Sequence, residues 1–197
     1  FELFLDYEPL SNLDEFLKEF NQNLPQDIRA LAITEVDAKF NIIQHPKLKE
    51  YAYLFSFGEK NHPFCAPLMA NFQFDLDIEL MKKGAKLFEG KHQFRNYCVR
   101  VSENSTFERE IIKSELVENT EITASFFPEK SYIFHIHSAG FLRHQVRLMM
   151  GALLQLGRGE LTLKDLENSL KPGVEMQMDY IVPASGLFLN KIGLEDY

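Results

Sequence analysis

Three histidines fall close together in this sequence, His135, His137 and His144. On a strand, a His-x-His pair puts both imidazoles on one face, because side chains alternate. With His144 nearby, that pattern opens the reading of a His-based metal site and of a metal-dependent hydrolase. No cysteine accompanies them and carboxylates are sparse around them, so a polar strand face close to phosphate groups is the better account. The stretch from 143 to 158 carries three arginines, Arg143, Arg147 and Arg158, and no acid. Arg143, His144 and Arg158, with Lys47 and Lys49, are the candidates for phosphate contacts, the contacts that position a protein on a nucleic acid. Taken singly, each is by default an exposed charge.

The elements that must hold these groups can be read from periodicity. KEYAYLFSFG (49–58) alternates aromatics, with Tyr51, Tyr53, Phe55 and Phe57 on one face of a strand. EREIIKSELVE (108–118) and SYIFHIHS (131–138) read as two more strands, the latter carrying the His pair. Residues 142–156 form the clearest helix, with Val146, Met149, Met150 and Leu153 at i, i+3, i+4, i+7 and Gly157 and Gly159 after it. Arg147 lies about 100° from that stripe, so residue type alone makes it a solvated flank. Further helices are expected at 11–22, capped by Ser11 or Asn12, at 76–89, with Asp75 near its start and Gly84 inside, and at 161–170, capped by Thr162. Short strands are expected at 1–5, 28–36 and 186–193. Helices and strands alternate without βαβ spacing, which predicts an α+β fold with a mostly antiparallel sheet flanked by helices.

Composition narrows the class. The 197 residues, 45% of them apolar, include 18 Phe and no Trp, enough for a substantial Phe-packed core. No stretch is long enough to span a bilayer, and the opening FELFLDYEPL lacks the basic and small-residue signature of a signal peptide. Cys65 and Cys98 have no metal-ligand spacing and read as reduced thiols of a cytoplasmic protein. A net charge of −8 weighs against nucleic acid binding overall, but a local basic face counts for more than the total.

The segment SAGFLRHQVRLMMGALLQLGRG, residues 138–159, resembles the most characteristic stretch of the TruA-type tRNA pseudouridine synthases. Weaker blocks occur in that family's order. Phe20-Asn21, Leu24-Pro25 and Asp27-Ile28 resemble its L-N-x-x-L-P-x-D-I block. Lys49, Tyr51 and Tyr53 match K-x-Y-x-Y, Gly90, His92 and Phe94 match G-x-H-x-F, and Gly186-Leu187 with Leu189 match G-L-x-L. Two departures stand out. The G-R-T-D-type motif whose aspartate is essential is not in this sequence, and Ile42-Ile43 follows Phe40-Asn41 where many bacterial members have Ala-Arg. With Phe1 in place of Met, the expectation is a fragment, inactive alone, whose gene encodes that motif shortly before Phe1.

The resemblance implies the rest as expectations. The fold would be the pseudouridine synthase fold of two ferredoxin-like halves, with residues 1–46 the remnant of the first and 47–197 the cleft-bearing second. The activity would be isomerisation of uridine to pseudouridine in the anticodon stem-loop, with no cofactor and no metal. The partners would be tRNA and a second copy in a homodimer, with no membrane. Tyr51 would stack on the extruded base, Arg147 would hold the aspartate, and Leu187 would wall the pocket. From residue type alone, Tyr51 and Leu187 are ordinary core residues. A non-catalytic RNA-binding or assembly module is the competing class.

Overall fold

The computed structural model describes residues 1–5, 10–99, 106–176 and 178–194. The chain divides into two compact units, one built on Phe1–Pro46 and the other on Lys47–Gly193.

In the first unit, helix α1 (Leu13–Asn23) starts where Asn12 accepts a hydrogen bond from the Glu15 backbone N–H at 3.1 Å. Asp14 and Glu15 in its first turn suit the positive end of the helix dipole. Phe16 and Phe20 stack at 5.7 Å, yet no α1 residue is buried. The strands expected at 1–5 and 28–36 do not form. A strand needs a neighbour for its ladder, and the Ala30 backbone instead bonds to the Asn21 side chain, N–H to Oδ1 at 2.8 Å and C=O to Nδ2 at 2.9 Å.

The second unit is a six-stranded sheet with helices on one face. Strand β1 (Pro46–Phe57) lies at its heart, pairing in parallel with β2 (Ala70–Phe72) and antiparallel with β5 (Tyr132–Ser138). Strand β4 (Glu108–Glu118) follows β5, and β3 (Gly90–Gln93) forms the edge, both antiparallel. Strand β6 (Leu187–Leu194) also pairs with β1. β2 and β3 escape sequence periodicity because three or four residues are too few to show an alternation.

The aromatic alternation of β1 does what its spacing predicts. Tyr53 and Phe55 are fully buried toward the helices, with Phe134 and Ile136 of β5 beside them. The opposite face packs Ala52, Leu54 and Ile133 against Cys65, Met69, Phe126 and Phe127. The helical layer consists of α2 (Ile78–Lys86), α3 (Gln145–Gly157) and α4 (Leu163–Ser169). Asp77 caps α2 by accepting from the Leu80 N–H at 2.9 Å. Gly84 belongs in α2 because a Cβ there would lie 2.3 Å from Leu156 Cδ2 on α3, so its absence lets the helices close. α4 begins with a capping box between Thr162 and Asp165, satisfying two backbone donors that the helix leaves open.

A β-bulge between Ile111 and Lys113 interrupts the β4–β5 ladder. Just past it, the Ser114 N–H donates to Glu89 Oε1 at 2.9 Å, and the Ser114 hydroxyl donates to the Ala85 carbonyl at 2.6 Å. Burial pushes the Glu89 carboxyl up, but the Ser114 N–H and the Lys86 ammonium outweigh it and hold the group below its ordinary value. A carboxyl depressed in the folded state stabilises the fold above its unfolded value, and that stability is lost as pH falls. The unfolding midpoint should therefore drop in acid below about pH 4.5, the ordinary glutamate range. Glu89→Gln should lower the midpoint at pH 7 and show a shallower acid decline. A Glu89→Gln profile parallel to that of the parent would reject this account.

Candidate active site

Helix α3 carries the central group. Ten of its thirteen residues are buried, leaving only Arg147, Gln155 and Gly157 partly open. An α-helix apolar all round is a buried helix, so the expectation of a solvated flank around Arg147 is corrected. Arg147 is the sole charged residue in α3, and it is half-buried. A guanidinium at the edge of a core needs a partner, since losing hydration costs several kcal/mol. Its Nε–H donates to the Val182 carbonyl at 2.6 Å, and Val182 is fully buried. Among the described residues no carboxylate pairs with Arg147, and its Nη groups take no part in that bond.

The segment reaching Val182 is pressed onto α3. A Cβ on Gly151, one turn beyond Arg147, would lie 1.9 Å from the Tyr180 carbonyl oxygen. Residues 180–182 thus run against the helix from Gly151 to Arg147. Tyr53 then ties the segment to the sheet, its phenol donating to the Pro183 carbonyl at 2.8 Å. At the end of a short 3-10 turn (Ala184–Gly186), Gly186 lies so close to β1 that a Cβ would sit 2.5 Å from the Leu54 carbonyl and 3.1 Å from the Tyr53 ring. Leu187 follows at the start of β6.

Tyr51, two residues before Tyr53 on the same face of β1, is half-buried. Its ring meets that of Phe141 edge-on at 5.3 Å and 90°. Tyr51, Phe141, Tyr180, Ile181 and Leu187 all pack, partly exposed, against one core cluster that includes Tyr53, Val146 and Val182. Burial pushes the Tyr53 phenol well above its ordinary range, against the pull of the Arg147 charge, while Tyr180 adds to the rise. Tyr53 therefore remains a hydrogen-bond donor throughout the neutral range.

The basic candidates scatter. Lys47 and Lys49 lie at the start of β1, Lys47 exposed and Lys49 half-buried opposite Ser138. Arg143 is exposed ahead of α3, and His144 takes a left-handed φ of 63° at the helix start. Arg158 sits at the other end of α3, about 16 Å along the axis from Arg147 at 1.5 Å per residue. There it stacks on Phe74 at 4.5 Å and pairs with Glu160 at 2.7 Å.

His135 and His137 point away from the helical layer. His135 is buried and its Nε2 lies 3.2 Å from Glu121 Oε1. Burial lowers the His137 pKa. Among the described residues no three His, Cys, Asp or Glu side chains gather to hold a metal ion. A cleft of about 480 Å³ shares Ile181 with the cluster around Tyr51 and is lined by Arg95, Asn96, Cys98 and Met176 among others. Asn96 serves the fold there, its amide donating to the Ser169 and Val174 carbonyls at 2.7 and 2.9 Å, and Arg95 faces Glu175 at 3.7 Å.

Sequence reasoning missed the Val182 and Pro183 carbonyls and the part played by Tyr53. Backbone acceptors leave no mark in residue type. The available signal was the tight grouping of Pro183, Gly186 and Leu187.

Sheet, buried helix and half-open cluster define a two-layer α+β protein with one cation presented beside aromatic side chains. The tRNA pseudouridine synthase family profile matches residues 85–193, which include β3 to β5, α2's end, α3, α4 and most of β6. The tRNA pseudouridine synthase A of Dictyoglomus thermophilum is 33% identical over 91% of this chain and 69% of its own length. Those of Clostridium botulinum strain Eklund 17B and Geobacillus sp. WCH70 are 28% and 25% identical, over 91% and 98% of this chain and 70% and 72% of their own lengths. The chain belongs to the tRNA pseudouridine synthase family. No helix among its described residues is long and apolar enough to cross a membrane.

Proposed function

We propose that this protein isomerises uridine to pseudouridine in tRNA, with Tyr51, Arg147 and Leu187 forming the wall that receives the base. The observation that carries this reading is Arg147, the single charge on an otherwise buried helix, held by Nε. In the reaction the N1–C1′ bond breaks and a C5–C1′ bond forms; the C5 proton leaves to solvent and N1 gains a proton. Such chemistry on a base requires that the base leave its stack, which costs a few kcal/mol. The half-exposed edge of Tyr51 offers a face for it to stack on, and Leu187 an apolar side.

Arg147 favours the ionised form of a carboxylate beside it and fixes its direction. By the family resemblance that carboxylate is the aspartate of the G-R-T-D-type motif. The same resemblance extends the proposal to the anticodon stem-loop as target and to a cytoplasmic homodimer as the working form. Lys47, Lys49, Arg143 and His144 are the proposed phosphate contacts. Arg158, already engaged by Phe74 and Glu160, is the weakest of the set.

The test uses the complete gene product carrying this sequence and tRNA labelled with tritium at uridine C5. Release of tritium to water is the expected result, since C5 exchanges its hydrogen for the glycosidic bond. Intact label after prolonged incubation with tRNA would end this reading.

A further inference from the structure

We propose that Tyr53 is a positioning residue for Arg147, acting through the rigid Val182–Pro183 backbone. This rests on the isomerase reading above and adds to it a residue that does not itself face the substrate.

The geometry forms a short chain. The Tyr53 phenol grips the Pro183 carbonyl at 2.8 Å, and the preceding carbonyl, of Val182, receives the Arg147 Nε–H at 2.6 Å. These two carbonyls flank a proline, whose ring fixes the intervening φ, observed at −52°. Holding one carbonyl therefore limits the other to rotation about a single torsion. Arg147 is a long side chain with costly rotamer freedom, and its Nε bond selects one orientation of the guanidinium plane. Fixing Nε from one edge aims the Nη pair, the edge that meets a carboxylate end-on through two parallel N–H bonds.

One further contact makes Tyr53 more than core filler. A Cβ on Gly186 would lie only 3.1 Å from the Tyr53 ring, so the ring seats the turn that leads into Leu187. Tyr53 is thus joined to both the cation and the apolar wall, whereas Tyr51, on the same strand face, is the one partly open to solvent.

Tyr53→Phe removes only the hydroxyl. Pro183 is exposed, so its carbonyl can take a water in exchange and the fold should persist. In the complete gene product, kcat on tRNA should fall about tenfold with KM within about twofold, the pattern of an interaction realised in the transition state. Under single-turnover conditions Tyr53→Phe should add no further loss to Arg147→Ala, since both act through one guanidinium. Pro183→Gly keeps both carbonyls but frees the torsion, and should cause a smaller fall in kcat.

A second readout does not depend on turnover. The Arg147 Nε–H, followed by nitrogen-15 NMR, should exchange faster with solvent in Tyr53→Phe. An unchanged kcat, an equal loss in the Arg147→Ala background, or unchanged Nε–H exchange would each overturn the proposal. Should the parent protein itself release no tritium from tRNA, the isomerase reading falls, and the Nε–H exchange alone then decides whether Tyr53 positions Arg147.

Discussion

Arg147→Ala should lower kcat for pseudouridine formation by about 10²–10³-fold, the range seen when one preorganised hydrogen-bond donor is removed from a reacting centre. The side chain has two tasks. Its Nη groups are proposed to orient the carboxylate that drives the step, and its Nε–H satisfies the Val182 carbonyl. Losing the second task leaves the carbonyl of a buried residue without its donor, a cost of about 1–3 kcal/mol that a domain of ordinary stability survives, so the variant should stay folded. Affinity for tRNA should change little, because the proposed phosphate contacts are other residues. Arg147→Lys should recover only a small part of the rate. Lysine keeps the charge but has no Nε beside a planar fork, and cannot bond to Val182 and a carboxylate at once. Kinetics on labelled tRNA, with circular dichroism as the folding control, give the measurement. An Arg147→Ala enzyme with a kcat near that of the parent would remove Arg147 from the mechanism.

Gly151→Ala should be among the most damaging small substitutions in the chain. In an exposed helix the change gains about 1 kcal/mol from helix propensity. Here the new methyl group would lie 1.9 Å from the Tyr180 oxygen and 3.0 Å from its carbonyl carbon, both main-chain atoms. No rotamer change relieves such a contact, so α3 and the 180–183 segment must separate. Overpacking of a tight core typically costs 1–3 kcal/mol, and the backbone nature of this clash places the net loss near about 3 kcal/mol. Separation would also draw Val182 away from Arg147, so activity should fall with stability. Urea unfolding of parent and variant measures the first effect. A stability within about 0.5 kcal/mol of the parent, the usual range for an inconsequential surface change, would show that the segment does not lie on the helix.

Much of the scaffold could be read from residue order, and the reasons are physical. β1, β4 and β5 carry alternations long enough to outweigh chance, and α3 announces itself through Val146, Met149, Met150 and Leu153. The polarity of α3's surroundings was not legible. A stripe describes the helix alone, while burial on every side depends on what the 178–183 segment and α2 bring to it. The expected strands at 1–5 and 28–36 failed for a related reason: apolar residues favour extension, but a ladder requires a neighbour. For the proposed site, motif order points to Tyr51, Arg147 and Leu187. The carbonyls of Val182 and Pro183 could not be inferred, because every residue type carries the same acceptor.

β1 also sets a schedule for folding. It joins three strands, and its pairing of Tyr53 with Phe134 spans about 80 positions. At ribosomal rates of about 5–20 residues per second, the aromatic strand waits roughly 4–16 s for that partner, and longer for β6. Until β5 emerges, the strand that later organises the sheet has only the three-residue β2 beside it and keeps a sticky open edge, and contacts of such long range form slowly. The cell must bridge that interval, and refolding in the test tube should be most vulnerable to aggregation through this same stretch.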